Sequence, residues 1–585
     1  MNRVLEFIKR IPSYLKTIVK KKKFWIASAF VLFVTAIFLM DTFHESYPDE
    51  FDNISGGWLI LHGDLIYKSF FTHHGPFPYF LSSFIELFSG QSFVKFRIVY
   101  ALLLVLVNFS FFAFLKHKLK EKIVDYYPLF ILFLGFEATY YWGQMLLADN
   151  VSAYLFLSAY ILLLVKVFYK KALNLWDLVF ASIVCALGLY SSLTFTYLYA
   201  ICVFAYFVVY VGQLKLGFNK KCLMQAIRCM IIFSIPHIIF LIYLLLTQSL
   251  HDYIFQNFVF NTKYYVYNYP RANGSSTINP IRYAIVIANN YFNNIFPLFK
   301  QIKDFNLYNP FNVTMVLGNI AILAFLMLKK YYKLSLFILL ALIFSTVRNN
   351  PSLSQETDYQ SAVYILISFF NIFFLLPNLY EEINNSKEAA KKVIFSVLLV
   401  LVLIYSFACC FSFVVNFNNR FYAKYMGTAP LIYDRPQIAP IMNTLLERSD
   451  YTWVGPFNFQ DVFYLNSRPA SRYHILIPGL SKSSETRDQL IKDLEDKNPK
   501  AIWFNKHTFI LGNSVEEYGQ FLTDYLNKNY TTILDYKNGK LKYSSVAPIT
   551  IGMDGVDIET SLFLRKDYAK EAVEKLVSAG YLRVK

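Results

Sequence analysis

The chain has 585 residues, of which 56% are hydrophobic and only 16% are charged. A soluble protein of this length would carry charge on about a quarter of its residues, so the composition excludes a soluble class and indicates a multispanning membrane protein. The net charge of +17 comes mostly from lysines between apolar segments, which favours attraction to anionic lipid headgroups over nucleic-acid binding.

Apolar runs that approach the roughly 20 residues needed to cross a membrane recur along the first 415 residues. They predict a mainly α, polytopic membrane domain over 1–415 with about eleven transmembrane helices. The predicted spans are Phe24–Met40, Phe96–Leu115, Pro128–Leu147, Val151–Phe168, Leu175–Leu189, Tyr197–Val211, Met230–Leu246, Val313–Leu328, Leu334–Thr346, Ser361–Leu376 and Val393–Val415. The first is not a cleaved signal peptide, because no small-residue cleavage site follows it and the next residues, Asp41 and Thr42, are polar.

Lysines cluster in alternate loops between these runs. The clusters are Lys20 to Lys23; Lys116, Lys118, Lys120 and Lys122; Lys170 and Lys171; Lys220 and Lys221; Lys329, Lys330 and Lys333; and Lys387, Lys391 and Lys392. Because basic residues resist translocation, these loops are predicted to be cytoplasmic. The segment 41–95 and the tail from residue 416 are then predicted to be extracytoplasmic.

The first external segment concentrates carboxylates in the stretch SYPDEFDNISGGWLILHGD. These are Asp49, Glu50, Asp52 and Asp64. A helix is predicted from Pro48 to about Gly63 and a second from Pro76 to Gly90. Both are too short or too polar to span, so we expect them to lie in the outer interface and to hold Asp49 and Glu50 near the membrane surface. Asp52 and Asp64 are expected to be solvated.

The tail is predicted to form an extracytoplasmic α/β domain over 416–585. Strand-like runs alternate there with helical patterns, and the length is usual for one domain. The strand-like runs are YTWVG, AIWFN, TTILDY and SLFLR, and the helical patterns are Pro440–Glu447, Glu485–Glu495 and Val515–Leu526. The tail has no G-x-G-x-x-G, P-loop or G-x-S-x-G motif, so a structural or acceptor-presenting role is expected.

The cysteines favour neither disulfides nor a metal centre. All six fall in or beside predicted spans: Cys185, Cys202, Cys222, Cys229, Cys409 and Cys410. The exported segments therefore have no disulfide framework. We predict no cofactor, with a divalent metal ion left open as an alternative.

Carboxylates at the outer face of a membrane suit a reaction between an exposed acceptor and a donor anchored in lipid. In glycosyl transfer from a polyprenyl phosphate, the leaving group is a stable phosphate anion, so one carboxylate acting as general base is sufficient. A hydrolase acting on an ordinary glycoside would need two carboxylates at a set separation. The adjacent pair Asp49–Glu50 fits the single-base scheme better. The alternative for Asp49 is capping of the helix that follows Pro48.

The first external loop resembles that of the GT-C membrane glycosyltransferases. An Asp-Glu pair follows the first span, then comes GWLILHGDLIYKSFFTHHGP, and an arginine opens the next span. The resemblance is to bacterial relatives of the protein O-mannosyltransferases and the lipid A aminoarabinose transferase. The matching residues are Asp49, Glu50, Gly57, Gly63, Tyr67, Phe70, Phe71, His74, Pro76, Gly90 and Arg97. It implies a polyprenyl-phosphate sugar as donor, an inverting displacement and catalysis by the acid of this loop.

The chain departs from the family pattern at two places. Gly75–Pro76 stands where relatives often have Pro-Pro, and Thr357–Asp358–Tyr359 stands where many have His-Tyr or Arg-Tyr. The second departure makes the contact with the donor phosphate harder to assign, and we retain Tyr359 as a candidate substrate-binding residue.

Four further side chains are candidates. His73 and His74 could orient a substrate, or they could pack in the interface; without a spaced carboxylate they are a weak metal signal. Asp149 sits where family members often carry a second external acid, and its alternative is a turn residue. Glu137, near the middle of the third predicted span, is either functional or a protonated core residue.

Arg348 is the candidate for holding the donor phosphate. It is the only basic residue in the predicted external loop TVRNNPSLSQETDY, and a guanidinium can bind phosphate through two parallel hydrogen bonds. The alternative is snorkelling at a helix end. Arg271 and Lys263, in the preceding Tyr-rich external loop, are the competing phosphate ligands.

These observations predict a hexosyltransferase of the mannosyltransferase-like kind in a bacterial plasma membrane. It would pass a sugar from a polyprenyl-phosphate donor to a lipid, glycan or protein acceptor on the extracytoplasmic face. A lipid-linked sugar flippase or other transporter is the main alternative, although a transporter would place its polar residues near the bilayer midplane in matched repeats. A membrane-anchored binding protein is a third possibility, and it would need no acid pair beside the membrane.

Overall fold

A computed structural model describes most of the chain. The described residues are 22–42, 46–119, 121–138, 141–213, 220–265, 280–300, 311–347, 359–426, 436–536, 543–545, 549–551, 554–556 and 558–584. They form a helical bundle followed by a mixed α/β domain.

In the described part of the chain, fourteen helices of more than ten residues make up the bundle and the first external segment. They are α1 (Lys22–Asp41), α2 (Pro48–Leu61), α3 (Phe77–Ser89), α4 (Phe93–Leu119), α5 (Tyr127–Glu137), α6 (Ala148–Phe168), α7 (Leu175–Ser191), α8 (Thr196–Gln213), α9 (Lys220–Leu246), α10 (Pro280–Lys300), α11 (Phe311–Leu328), α12 (Tyr332–Ser345), α13 (Ala362–Asn385) and α14 (Ala389–Tyr425). A short helix, Leu250–Ile254, and two π-helical turns, Phe255–Val259 and Asn261–Tyr265, follow α9.

Seven helices in the described part of the chain are long and apolar enough to cross a membrane, and four shorter apolar helices accompany them. Each of the eleven predicted spans overlaps one of these helices. Large apolar side chains on their outer faces are exposed, among them Leu106, Ile239 and Phe407. Such a surface requires an apolar solvent, so the chain is an integral membrane protein.

The third predicted span is wrong in extent. Helix α5 ends at Glu137, and residues 141–147 form turns instead of continuing to Leu147. The backbone of Trp142 has a positive φ of 54°, and the backbone carbonyl of Leu146 accepts a hydrogen bond from the side-chain amide of Asn53. This apolar stretch therefore packs against α2, and Glu137 lies at a helix end rather than mid-span.

The lysine-rich loops meet at one end of the bundle. Lys171 pairs with Glu121, and Lys329 pairs with Glu382. Lys118 lies 4.0 Å from Asp177, which also pairs with buried Lys166. Lys122, 3.6 Å from Glu381, connects these two groups of contacts, so four loops of the predicted cytoplasmic side lie next to one another.

Residues 416–425 of the tail continue helix α14, and a mixed α/β domain follows from residue 436. Its strands are β1 (Tyr451–Gly455), β2 (Arg468–Pro469), β3 (Ala501–Phe504), β4 (Phe509–Ile510), β5 (Asn513–Ser514), β6 (Tyr530–Thr532), β7 (Tyr543–Ser545), β8 (Ile549–Ile551), β9 (Asp554–Val556), β10 (Leu562–Arg565) and β11 (Leu582–Val584). Its helices are α15 (Ala439–Leu445), α16 (Phe459–Tyr464), α17 (Pro478–Lys482), α18 (Ser484–Lys497), α19 (Val515–Tyr518), α20 (Gln520–Asn529), α21 (Ile558–Ser561) and α22 (Ala569–Ser578).

A five-stranded sheet in the order β2-β1-β3-β10-β6 forms the centre of this domain. β1 is parallel to both β2 and β3, whereas β10 is antiparallel to β3 and β6. Trp453 and Trp503, from β1 and β3, are fully buried. All four predicted strand-like runs overlap a strand, and the predicted helix Val515–Leu526 is broken in two at Gly519.

The tail domain docks on the first external segment. The backbone N–H of Phe71 donates to the carbonyl of Arg472 at 2.8 Å, and the ring of Trp58 lies edge-on to Phe463. The Arg472 guanidinium donates to Tyr67 O at 2.7 Å and to Asp252 Oδ1 at 2.6 Å. The two predicted external parts therefore lie on the same side of the bundle.

Candidate active site

Helix α2 places the two adjacent acids of the first loop in its first turn. Pro48 occupies the start of the helix, where its missing N–H costs nothing, and acids there complement the helix dipole. The N-cap residue is Tyr47, and it has no side-chain capping bond. The alternative explanation of Asp49 as the helix cap is therefore wrong.

Asp49 faces a cavity of about 240 Å³ between the bundle and the tail domain. The polar part of its lining comes from Asp49, Asp52, Thr72, His73, His74, Tyr47, Tyr265, Tyr359 and Gln360. The structure thus brings together four of the predicted site residues: Asp49, His73, His74 and Tyr359.

Tyr359 holds the carboxylate of Asp49. Its hydroxyl donates to Asp49 Oδ2 at 2.7 Å. The rings of Tyr47, Trp142 and Tyr359 pack together with centroids 5.1 to 5.9 Å apart, which fixes the tyrosine. Asp49 itself is half-buried, so its second oxygen can meet a substrate in the cavity.

Glu50 points away from the cavity, although it is next to Asp49 in sequence. It is fully buried, and the guanidinium of Arg97 binds both of its oxygens, with Nε donating to Oε1 at 2.9 Å. Arg97 also donates to the carbonyl of Thr42 at the end of α1. Glu50 therefore joins α2 to α4 and α1, and Asp49 is the acid of the pair that can reach a substrate.

Asp52 is buried, which overturns the expectation that it is solvated. Its Oδ2 accepts a hydrogen bond from the Tyr79 hydroxyl at 2.5 Å and lies 4.0 Å from His74 Nε2. Burial raises the pKa of Asp52 to about 7; the bond from Tyr79 lowers this pKa, and the charge of Asp49 raises it. The cavity therefore holds a second carboxylate that sequence reasoning missed, although its spacing of three residues from Asp49 places both on one helix face.

The loop 72–76, which carries His73 and His74 and is called the histidine loop, is held by hydrogen bonds from two sides. Tyr67 donates to His74 O at 3.0 Å, and Asn261 donates to His73 O at 3.1 Å. A Cβ on Gly75 would overlap the backbone carbonyl of Tyr190 at the end of α7. The departure from Pro-Pro to Gly75–Pro76 thus accompanies a close approach that only glycine permits.

Of the remaining candidates, Asp149 is fully buried in the first turn of α6 and does not line the cavity. Lys263 is exposed, with its ammonium 5.4 Å from the ring of Tyr264. Arg271 and Arg348 lie outside the described residues. Among the residues that the structure describes, no group of three or more His, Cys, Asp and Glu is arranged to hold a metal ion.

The tail domain supplies an apolar wall opposite the acids. Its cavity-lining residues are Phe457, Phe459, Ile475, Ile477, Phe509, Ile510 and Leu511. The last three belong to the hairpin of β4 and β5, in which Leu511 has a positive φ of 52°. Nothing in the tail sequence signals this role, because the wall forms only when the domain docks on the first loop.

A second cavity, of about 470 Å³, opens beside the histidine loop. It lies between α3, α7 and α9, and Pro76, Phe77, Tyr190, Phe240 and Tyr243 are among its mostly apolar lining. Pro76 belongs to both the histidine loop and this cavity, so the apolar cavity is adjacent to the polar one.

The fold and the site define an integral membrane protein with an acidic cavity enclosed by a docked α/β domain. No family model and no curated protein sequence matches the chain. In structure, it is similar to ArnT from Cupriavidus metallidurans, both bound to undecaprenyl phosphate and in the apo state. Each comparison gives 10% identity and a TM-score of 0.45, covering 93% of this chain and 98% of ArnT.

The chain is also similar to the apo crystal structure of the Archaeoglobus fulgidus oligosaccharyltransferase. The identity is 12% and the TM-score 0.39, covering 92% of this chain and 75% of that one.

Proposed function

We propose that the chain is an inverting glycosyltransferase that moves one sugar from a polyprenyl-phosphate donor to an acceptor on the extracytoplasmic face. The observation that carries the proposal is the half-buried carboxylate of Asp49, held by Tyr359 in a cavity at the end of the bundle opposite the lysine-rich loops. At about 240 Å³, this cavity is smaller than the sites of drug-sized ligands, about 300–1,000 Å³, so it suits a single sugar unit.

Asp49 is the general base in this proposal. It accepts the proton of the acceptor hydroxyl while the oxygen bonds to the anomeric carbon and the bond from that carbon to the phosphate oxygen breaks. The phosphate leaves as a stable anion, so no acid is required, and one positioned base contributes about 10²–10⁴-fold. Tyr359 orients the carboxylate by donating to its other oxygen.

The lipid chain of the donor is assigned to the apolar cavity between α3, α7 and α9. Its lining is almost entirely apolar, as a polyprenyl chain requires. Because the histidine loop forms part of its rim through Pro76, a chain bound there brings its phosphate end towards His74 and Asp49.

The donor phosphate requires a cation, and none of the described residues that line the acidic cavity is a lysine or an arginine. Arg348 is the proposed ligand, with Arg271 as its rival, because a guanidinium binds phosphate oxygens through two parallel bonds. Arg348→Ala should raise the donor KM strongly, and Arg348→Lys should restore only part of the affinity. An unchanged donor KM in Arg348→Ala, with a raised KM in Arg271→Ala, would move the assignment to Arg271.

The central test is release of polyprenyl phosphate from a panel of polyprenyl-phosphate sugars by the purified full chain. Asp49→Asn keeps the shape and the bond from Tyr359 but removes the base, so the rate should fall by about 10²-fold or more. Asp64→Asn is the matched control: this half-buried acid of the same loop does not line the cavity, and its variant should retain normal turnover.

Normal turnover in Asp49→Asn would contradict the assigned base. If no donor in the panel released polyprenyl phosphate with the unaltered chain, while the same protein transported a lipid-linked sugar across a vesicle membrane, the transporter alternative would replace the transferase.

A further inference from the structure

Asp52 has no part in the single-base mechanism, yet it shares the cavity with Asp49. The two acids lie three residues apart on α2, which places them on one face of the helix. Asp52 is buried, whereas Asp49 is half-buried. A buried carboxylate beside the proposed base changes the charge that a phosphate meets on entering the cavity.

A directed chain of hydrogen bonds ends on Asp52. The backbone N–H of His74 donates to Thr72 Oγ1 at 3.1 Å, and Thr72 Oγ1 lies 2.6 Å from the Tyr79 hydroxyl. Tyr79 in turn donates to Asp52 Oδ2 at 2.5 Å. Since Tyr79 uses its proton on Asp52, the proton between Thr72 and Tyr79 belongs to Thr72. Asp52 thus accepts the last bond of a chain that fixes the histidine loop against α2.

We propose that Asp52 is a charge-setting residue of the transfer site, whose protonated form admits the anionic donor and whose ionised form opposes it. The inference rests on the proposed function and extends it from the base to the control of donor binding. With Asp52 protonated, Asp49 carries the only negative charge of the acid pair. When Asp52 ionises, a second negative charge faces the incoming phosphate.

The electrostatic environment of Asp52 sets the pH at which its carboxyl group ionises. Two carboxylates in one cavity resist joint ionisation, and the pKa of Asp52, raised to about 7 by burial, lies in the neutral range. A sugar–phosphate diester stays singly negative throughout that range, so the donor itself does not titrate. A second charge in a partly buried cavity should weaken donor binding on the order of tenfold.

The effect of Asp52 on the donor KM must be distinguished from the effects of other charged and titratable groups around it. On its own helix lie Asp49 and the Glu50–Arg97 ion pair, on α3 lies Tyr79, and the rest of the cavity contributes His73, His74, Tyr47, Tyr265 and Tyr359. Tyrosines and an arginine do not titrate near neutrality, whereas a histidine does. His74, 4.0 Å from Asp52, is therefore the group to control for.

The experiment measures the donor KM and kcat of the full chain from about pH 6 to about pH 8.5. The unaltered chain should show a donor KM that rises about tenfold through neutral pH. Asp52→Asn keeps an acceptor for Tyr79 but cannot ionise, so its donor KM should stay low at high pH. His74→Gln should keep the rise. A rise that persists in Asp52→Asn, or that disappears in His74→Gln alone, would overturn the proposal.

Tyr79→Phe gives a second readout that does not depend on replacing Asp52. It removes the bond that favours the ionised carboxylate, so the pKa of Asp52 and the rise in donor KM should both move to higher pH. A merely structural Asp52 would lower kcat at every pH and leave this midpoint in place. If Asp52→Asn and Tyr79→Phe both turn over and both keep the donor KM profile of the unaltered chain against pH, only this inference is refuted. If the unaltered chain releases no polyprenyl phosphate, the proposed transferase itself is refuted.

Discussion

Adjacent acids in the first loop have separate environments because they lie on a helix. Successive residues of an α-helix point about 100° apart, so Asp49 faces the cavity while Glu50 faces Arg97. Residues three apart return to the same face, which places Asp52 beside Asp49. The pair that the sequence suggests is Asp49–Glu50, and the pair that the cavity contains is Asp49–Asp52.

The Glu50–Arg97 pair should matter for stability rather than turnover. Arg97→Ala leaves a fully buried carboxylate without its partner and should lower the free energy of unfolding by about 3–5 kcal/mol. Thermal unfolding of the purified chain in detergent measures this loss. The double variant Glu50→Gln/Arg97→Met removes both charges and should recover much of it, because neutral groups of similar size are often tolerated at such sites.

Asp49→Asn serves as the control for that experiment, since it should lose activity without losing stability. A Glu50→Gln variant that unfolds normally but no longer transfers sugar would contradict the structural assignment and return Glu50 to the chemistry.

Among the elements, helices α2 and α3 pack closely because two glycines face α3. A Cβ on Gly56 would overlap the ring of Tyr79, and a Cβ on Gly57 would lie 2.5 Å from the Cβ of Ser82. This approach lets Tyr79 reach Asp52 across the helix pair. The sequence places both helices correctly through Pro48, Gly63 and Gly90, but it does not show that they touch.

The sequence predicts local elements but not the contacts between them, and this difference explains which parts of the fold could be predicted. Apolar helices follow from the length of apolar runs, a local property, so each of the eleven predicted spans overlaps an apolar helix of the described chain. The prediction of the third span was wrong in extent because the apolar residues after Glu137 pack against α2. Composition alone does not distinguish residues packed against protein from residues that face lipid. Asp52 was assigned to solvent because carboxylates are usually exposed, whereas its burial depends on Tyr79, 27 residues away.

The tail domain's part in the site was beyond sequence reasoning for a related reason. Its strands follow from short strand-like runs between helical segments, but the wall made by Phe459, Ile475 and the β4–β5 hairpin forms only where the domain meets the first loop. That meeting depends on Arg472, more than 400 residues along the chain from its acceptor at Tyr67. No local pattern encodes such a contact.

At the scale of the whole molecule, the two ends of the helical bundle carry different features. Helix α4 carries Arg97, the partner of Glu50, near its start and Lys116 and Lys118 in its last turn, and its 27 residues span about 40 Å. The lysine-rich loops gather at one end, and the cavity with its docked domain occupies the other. The proposed transfer between a lipid-anchored donor and an exposed acceptor requires a site at an end of the bundle, which is where this cavity lies.

This polarity predicts which residues can be reached from outside the cell. His62, at the end of α2, and Lys528, in the tail domain, are exposed, as is Lys170 in a lysine-rich loop. In intact cells, a membrane-impermeant maleimide should label His62→Cys and Lys528→Cys but should label Lys170→Cys only after the membrane is broken, because basic loops stay cytoplasmic. The unaltered chain controls for its own cysteines. Labelling of Lys170→Cys in intact cells, with His62→Cys protected, would invert the topology and put the proposed transfer on the cytoplasmic face.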